Sequence, residues 1–269
     1  MNNIETFVKD NRGVDGLEFI KRLLVFEKKR IDENFCAGSV FEEINENFGI
    51  FPSVPLYPVY FHGNIENPKD KIVFIGINPG YKKGVDDITH SEISGDFFKW
   101  ENEGFLNFAK NFRRYLTPNR NFEREVLMPY FRNMASFLRK TGMVNDEVID
   151  YKWFHNNLLN LELIPYYSEN SNGLRINDVK KYRETYFEIL LKMLRYINPQ
   201  KPIFIVGFPT FKEYLKNEVF KDVMQFQEYA GVCLGKIDKF DFIGLPFLTR
   251  VNGGLDNLIS KIKKENIIL

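Results

Sequence analysis

Residues 69–80, KDKIVFIGINPG, decide how the rest of the chain is read. Ile72, Val73, Phe74 and Ile75 form a short apolar run, rich in β-branched residues, halted by a Gly-Ile-Asn-Pro-Gly turn. A strand without polar alternation has both faces buried, which is the condition of a central strand in a parallel sheet. Three more runs share this character: NLLNLELIP at 157–165, PIFIVGF at 202–208 and FDFIGLPFLT at 240–249. Amphipathic helical spacing separates them, over 104–115, 124–140, 177–197, 210–220 and 256–265. In the third of these helices Asn177 or Asp178 stands at the start as a cap, and Asn198–Pro199 marks the stop. Strands alternating with helices predict a three-layer α/β fold: a central four-stranded parallel sheet, right-handed crossovers, and helices on both faces.

Upstream, GLEFIKRLLVFEKKRIDENF (16–35) places Leu17, Ile20, Leu23 and Leu24 along one helical face. FPSVPLYPVYFHGN (51–64) follows, and Pro52, Pro55 and Pro58 forbid a regular helix there. It reads as an extended connection running into the core. The expected division is a helical N-terminal extension over 1–60 and an α/β domain over 61–269, with no internal repeat and no low-complexity segment.

Composition removes several classes of protein. Of 269 residues, 44% are hydrophobic and 27% charged, which excludes a largely disordered chain. No apolar run approaches the roughly 18 residues of a membrane span. The opening MNNIETFVKDNRG lacks the pattern of an export signal, so a cytoplasmic location is expected. Lys plus Arg is 37 and Asp plus Glu 36, so no net field announces a nucleic-acid partner. Cys36 and Cys233 lie far apart and in no metal spacing, and His62, His90 and His155 share none either. Neither metal nor cofactor is expected. Aromatic residues make up 16% of the chain, and most are expected in the core.

Open α/β sheets bind ligands beyond the carboxyl ends of their strands. That directs attention to INPGYKKGVDD (77–87), PYYSENSNG (165–173), FPTFKEY (208–214) and TRVNGGLDN (249–257). The first is the sharpest. Gly76-Ile77-Asn78-Pro79-Gly80 after an apolar strand resembles the first motif of the uracil-DNA glycosylase superfamily. The match is closest to its mismatch-specific uracil/thymine and single-strand-selective branches, and covers roughly residues 70–265.

The resemblance implies a monofunctional DNA glycosylase. It would flip a damaged, mismatched or modified pyrimidine and hydrolyse the N-glycosidic bond through an oxocarbenium-like sugar. In that family the motif's Asp or Asn holds the attacking water, which makes Asn78 the catalytic candidate; an amide positions water rather than deprotonating it. Gly76, Ile77, Pro79 and Gly80 would let the backbone approach the flipped nucleotide. Gly80 stands where the uracil-restricted G-Q-D-P-Y-H enzymes carry tyrosine, which implies room for a substituent at C5; it is equally a turn glycine. Asn160 resembles the asparagine that reads the base edge, the alternative being a strand-edge residue bonding backbone. Tyr81, Phe97 and Phe98 are candidates for stacking on the base, or are core.

Beyond the fourth run the family usually carries H-P-S or N-P-S. This chain has Arg250-Val251-Asn252-Gly253-Gly254-Leu255 instead, a departure that bears on leaving-group stabilisation. Leu255 resembles the wedge that fills the vacated stack, or is a core residue of the last helix. Arg250 or Asn252 would contact the base or a phosphate, with Gly253 and Gly254 between. Lys82 and Lys83 are candidate phosphate contacts or a solvated face, as are Arg113, Arg114, Lys261, Lys263 and Lys264. The implied partner is DNA, duplex or single-stranded, bound by a monomer away from membranes, in repair or in defence against phage with modified bases. Two other readings stay open: a nucleotide- or phosphate-binding enzyme whose GINPG loop holds an anion, and a DNA-binding protein of the same fold without catalysis.

Overall fold

The computed structural model describes residues 4–34, 59–65, 68–77, 116–118, 125–127, 129–145, 149–165, 183–214, 223–229, 232–248 and 254–264. All four apolar runs form strands: β2 (Ile72–Gly76), β5 (Leu158–Glu162), β6 (Ile203–Val206) and β9 (Phe240–Leu245). They lie in the order β5-β2-β6-β9, each parallel to its neighbour. The expectation of a four-stranded parallel sheet is nevertheless corrected. β1 (Phe61–His62) joins β5 antiparallel on one side, while β7 (Met224–Tyr229) and β8 (Val232–Ile237) extend the other as an antiparallel hairpin. The sheet is seven-stranded and mixed. Leu116–Pro118 and Glu125–Leu127, β3 and β4, pair separately.

The hairpin escapes a search for continuous apolar runs for a physical reason. Gln225, Phe226, Gln227 and Glu228 of β7 are exposed, so that edge strand need not be apolar. Likewise the helix expected over 124–140 begins only at Pro129, as α3 (Pro129–Thr141). Proline suits the first helical position, where no N–H is needed, and it disfavours helical geometry in the residue before it.

The other helices are α1 (Ile4–Asp10), α2 (Gly16–Asn34), α4 (Tyr151–Asn157), α5 (Arg183–Ile197), α6 (Phe208–Tyr214) and α7 (Gly254–Lys264). The helix expected over 104–115 and the caps Asn177 and Asp178 lie outside the described residues. Asn198 does end α5, taking φ 47° before Pro199.

Helices cover both faces of the sheet. Val73 and Ile75 of β2, with Leu159 and Leu161 of β5, pack towards α1, α2 and α5. Phe74 of β2 and Leu158 of β5 face the other way, towards α3, α4 and α7. The alternation follows from the two-residue period of a strand. From β2 the chain crosses to β5 through α3 and α4, then back past β2 to β6 through α5. Reversing direction while keeping the crossover right-handed puts the two connections on opposite faces, as observed. The boundary between β2 and β6 is therefore the point where the strand order reverses.

Residues 4–34 share the apolar cluster of the sheet through Ile4, Phe7, Phe19, Ile20, Leu23 and Leu24. A buried polar junction fixes α2 to the chain entering β1: the Tyr60 hydroxyl donates to Glu27 Oε1 (2.6 Å), and Arg30 Nε donates to Glu27 Oε2 (2.9 Å). Burial pushes the Glu27 carboxyl up, against the pull of Arg30 and Tyr60. No helix among the described residues is long and apolar enough to cross a membrane.

At the amino end of the sheet, Lys71 donates through Nζ to the carbonyls of His155 and Asn156, in the last turn of α4. A cation there complements the helix dipole. Burial nonetheless holds the Lys71 pKa down at about 8, from an ordinary 10.5. Between these values the unfolded chain binds more protons than the folded one, so this group adds stability as pH rises. The stability difference between wild type and Lys71→Met, from urea denaturation, is expected to grow in favour of wild type from about pH 8 towards 10. A flat difference would show that Lys71 titrates normally.

Candidate functional site

The last residues of β2 and β5, Gly76 and Glu162, face each other in register. Pairing continues past the strands, Leu163 N–H donating to Gly76 C=O and Ile164 N–H to Ile77 C=O. On the face of β5 turned towards α3, Leu158 is followed by Asn160 and Glu162 rather than by further apolar residues. Both are buried; Asn160 is 0% exposed and Glu162 6%. Polar groups withdrawn from water this far are tolerated only when hydrogen-bonded.

The bonds form a chain of side chains. Tyr130 Oη, in the first turn of α3, donates to Asn160 Oδ1 at 3.1 Å. Asn160 Nδ2 donates to Glu162 Oε1 at 2.8 Å. His62, on β1 and in register with Asn160, brings Nε2 to 3.9 Å from the same carboxylate oxygen. Its imidazole is buried and packs edge-on against Phe131. Burial and the Glu162 charge together push the Tyr130 hydroxyl pKa well above its usual value, so it stays protonated and able to donate.

Gly76 makes this arrangement sterically possible. A β-carbon there would collide with Glu162 Oε2 and lie 3.2 Å from the Tyr130 hydroxyl. Gly76 is not among the residues with positive φ, so what it supplies is room and not an unusual backbone. The first glycine of the GINPG motif and the Glu162 carboxylate are two halves of one contact.

The sequence candidates divide accordingly. Gly76, Ile77 and Asn160 are all buried, but they do not form one cluster: Gly76 lies opposite Glu162, Asn160 is in register with Phe74, and Ile77 packs on the other face with Val73 and Ile75. Asn160 bonds two side chains, not backbone, and sits within β5 instead of at its edge. Asn78, Pro79, Gly80, Tyr81, Lys82, Lys83, Phe97, Phe98, Arg250, Asn252 and Gly253 lie outside the described residues. Gly254 opens α7 with φ 80°, and Leu255 is partly buried against the cluster that α7 shares with α3. Among the described residues no three His, Cys, Asp or Glu side chains gather as a metal site would require. Cys233 is buried, and its thiol is pushed up to about 12, which excludes it as a nucleophile near neutral pH.

Sequence reasoning missed Glu162, His62 and Tyr130. Glu162 carried a signal, being the only charge in a run read as buried on both faces. His62 and Tyr130 carried none, since each reaches the site through tertiary packing.

No protein-family model matches this chain, and no curated protein matches it in sequence.

The Gly76–Glu162 contact is testable by coupling. Gly76→Ala is expected to cost about 1–3 kcal/mol through overpacking. In a Glu162→Ala background the same change should cost far less, because the colliding carboxylate is gone. Urea denaturation of the four proteins measures the coupling. Additive costs would show that the two residues do not meet.

Proposed function

We propose that this protein is a cytoplasmic DNA glycosylase that hydrolyses the N-glycosidic bond of a flipped pyrimidine, without metal or cofactor. The observation that carries the reading is the position of Gly76, where the GINPG motif begins. Gly76 closes β2 at its carboxyl end, opposite Glu162 of β5. Open α/β sheets receive their ligands beyond the carboxyl ends of their strands. Beside Glu162 stands a buried amide, Asn160, held by side chains on both of its polar atoms. A planar base edge is read by this kind of fixed donor and acceptor.

In the mechanism, the pyrimidine leaves the base stack and enters beyond β2 and β5. Asn160 meets its polar edge, and Asn78 holds water beneath the anomeric carbon. The water oxygen bonds to that carbon as the bond to the base nitrogen breaks, and its proton passes in the end to the departing base. Asn78 serves by placement, since an amide takes up no proton near neutral pH. Glycine at position 80 leaves space for a C5 substituent, so thymine and modified cytosines belong among the substrates to test. DNA is the partner, and one copy of the chain is the acting unit.

The experiment is single-turnover base release from duplex and single-stranded oligonucleotides carrying uracil, thymine, cytosine or C5-substituted cytosines. Wild type is expected to release at least one of these bases. Asn78→Ala should slow that release by about 100-fold or more, with melting temperature and DNA affinity little changed, as for loss of a positioning group. Release by the variant at the wild-type rate would remove Asn78 from the mechanism. Release of no base by wild type would overturn the reading.

A further inference from the structure

We infer that Glu162 is a specificity-determining residue of this site: its carboxylate holds the Asn160 amide in one orientation, so that Asn160 distinguishes pyrimidines by the order of donor and acceptor along their edge. The inference rests on the reading of Asn160 as the group that meets the base.

Pyrimidines come in two edge patterns. Uracil and thymine present a donor at N3 and an acceptor at O4. Cytosine and its C5-substituted forms present an acceptor at N3 and a donor at the 4-amino group. An asparagine carries both a donor and an acceptor, and a half-turn about its last bond exchanges them. An asparagine able to turn over therefore answers either pattern and selects neither.

Asn160 is not able to turn over, and the reason lies in its two partners. Glu162 Oε1 is 2.8 Å from Nδ2. When ionised, a carboxylate only accepts, so the amide then faces it with nitrogen. Turning the amide would set Oδ1 against the carboxylate oxygen, two acceptors in contact with no water to separate them, since Asn160 is fully buried. The hydroxyl of Tyr130, 3.1 Å from Oδ1, does not make the choice, because a hydroxyl both donates and accepts. It follows whichever end it meets. The carboxylate alone breaks the symmetry.

The bonds to Glu162 and Tyr130 use one amide hydrogen and one oxygen lone pair. A base that reaches Asn160 would meet the remaining one of each, in an order set by the carboxylate. Gly76 contributes by leaving the room in which Glu162 lies. A site that hydrogen-bonds one pattern rejects the other strongly, because the mismatched ligand leaves buried polar groups without partners.

The decisive variant is Glu162→Gln. It keeps the shape and removes the charge. The substituted amide offers either oxygen or nitrogen, so it and the Asn160 amide can turn over together. The assay compares thymine with 5-methylcytosine in single-stranded oligonucleotides, which matches the C5 group and removes the cost of unpairing. Wild type is expected to favour one of them by about tenfold or more in single-turnover rate, and Glu162→Gln to bring the two within about threefold. Tyr130→Phe, which leaves the carboxylate in place, is expected to keep the wild-type ratio whatever its absolute rate. An unchanged ratio in Glu162→Gln would overturn the inference, as would equal rates in wild type.

A second measurement separates failure of this inference from failure of the glycosylase reading. In ¹⁵N-labelled protein the Asn160 side-chain amide should show one hydrogen shifted downfield by the carboxylate. In Glu162→Gln that shift should be lost and a second set of signals should appear for the turned amide. If wild type releases no base, the glycosylase reading falls and the spectrum alone decides the lock. Identical Asn160 resonances in the two proteins would overturn it.

Discussion

A carboxylate buried at the end of a sheet must keep its hydrogen bonds or lose its charge, and that constraint organises the centre of this protein. Glu162 meets it with the Asn160 amide and the His62 imidazole beside it. Each requirement reaches a different element. Asn160 precedes it on β5, His62 comes from β1, Tyr130 completes the chain of bonds from α3, and Gly76 gives way on β2. Residues widely spaced in sequence are thereby committed to one small volume at the carboxyl ends of the central strands. The surrounding apolar packing, Phe131 against His62 and against Phe154, closes that volume towards α3 and α4.

Much of the fold was legible because burial on both faces leaves a plain mark. The parallel strands β2, β5, β6 and β9 all read as predominantly apolar runs, and α5 and α7 as amphipathic spacing. What was not legible followed other rules. The β7–β8 hairpin lies at the sheet edge, where exposed Gln225, Gln227 and Glu228 dilute the apolar signal. β1 is two residues long and sits in a stretch punctuated by prolines. Its place beside β5 is set by pairing with a strand far along the chain, Phe61 with Leu161, which no local pattern records.

The site was legible in a narrower sense. The GINPG motif, Asn160 and the rule that ligands gather at strand ends together point to the end of the sheet where a buried polar group is found. The reason for Gly76 did not emerge from its own neighbourhood. Turn glycines are usually explained by backbone conformation, whereas Gly76 is explained by the Glu162 carboxylate across the register. Glu162 was visible in NLLNLELIP, but averaging hydropathy along a strand passes over one charge. That charge is the informative residue, because a fully enclosed strand carries an ion only with partners at hand.

The glycosylase reading and the choice among bases by Asn160 both require a base to arrive beyond β2 and β5. The most direct test is a crystal structure of the Asn78→Ala chain with a single-stranded oligonucleotide carrying the pyrimidine it binds best. The account predicts a base turned out of the strand and lodged beyond the ends of β2 and β5. Its polar edge should lie within hydrogen-bond distance of Asn160, with Asn160 Nδ2 still on Glu162. A base bound elsewhere, or one leaving Asn160 untouched, would contradict it.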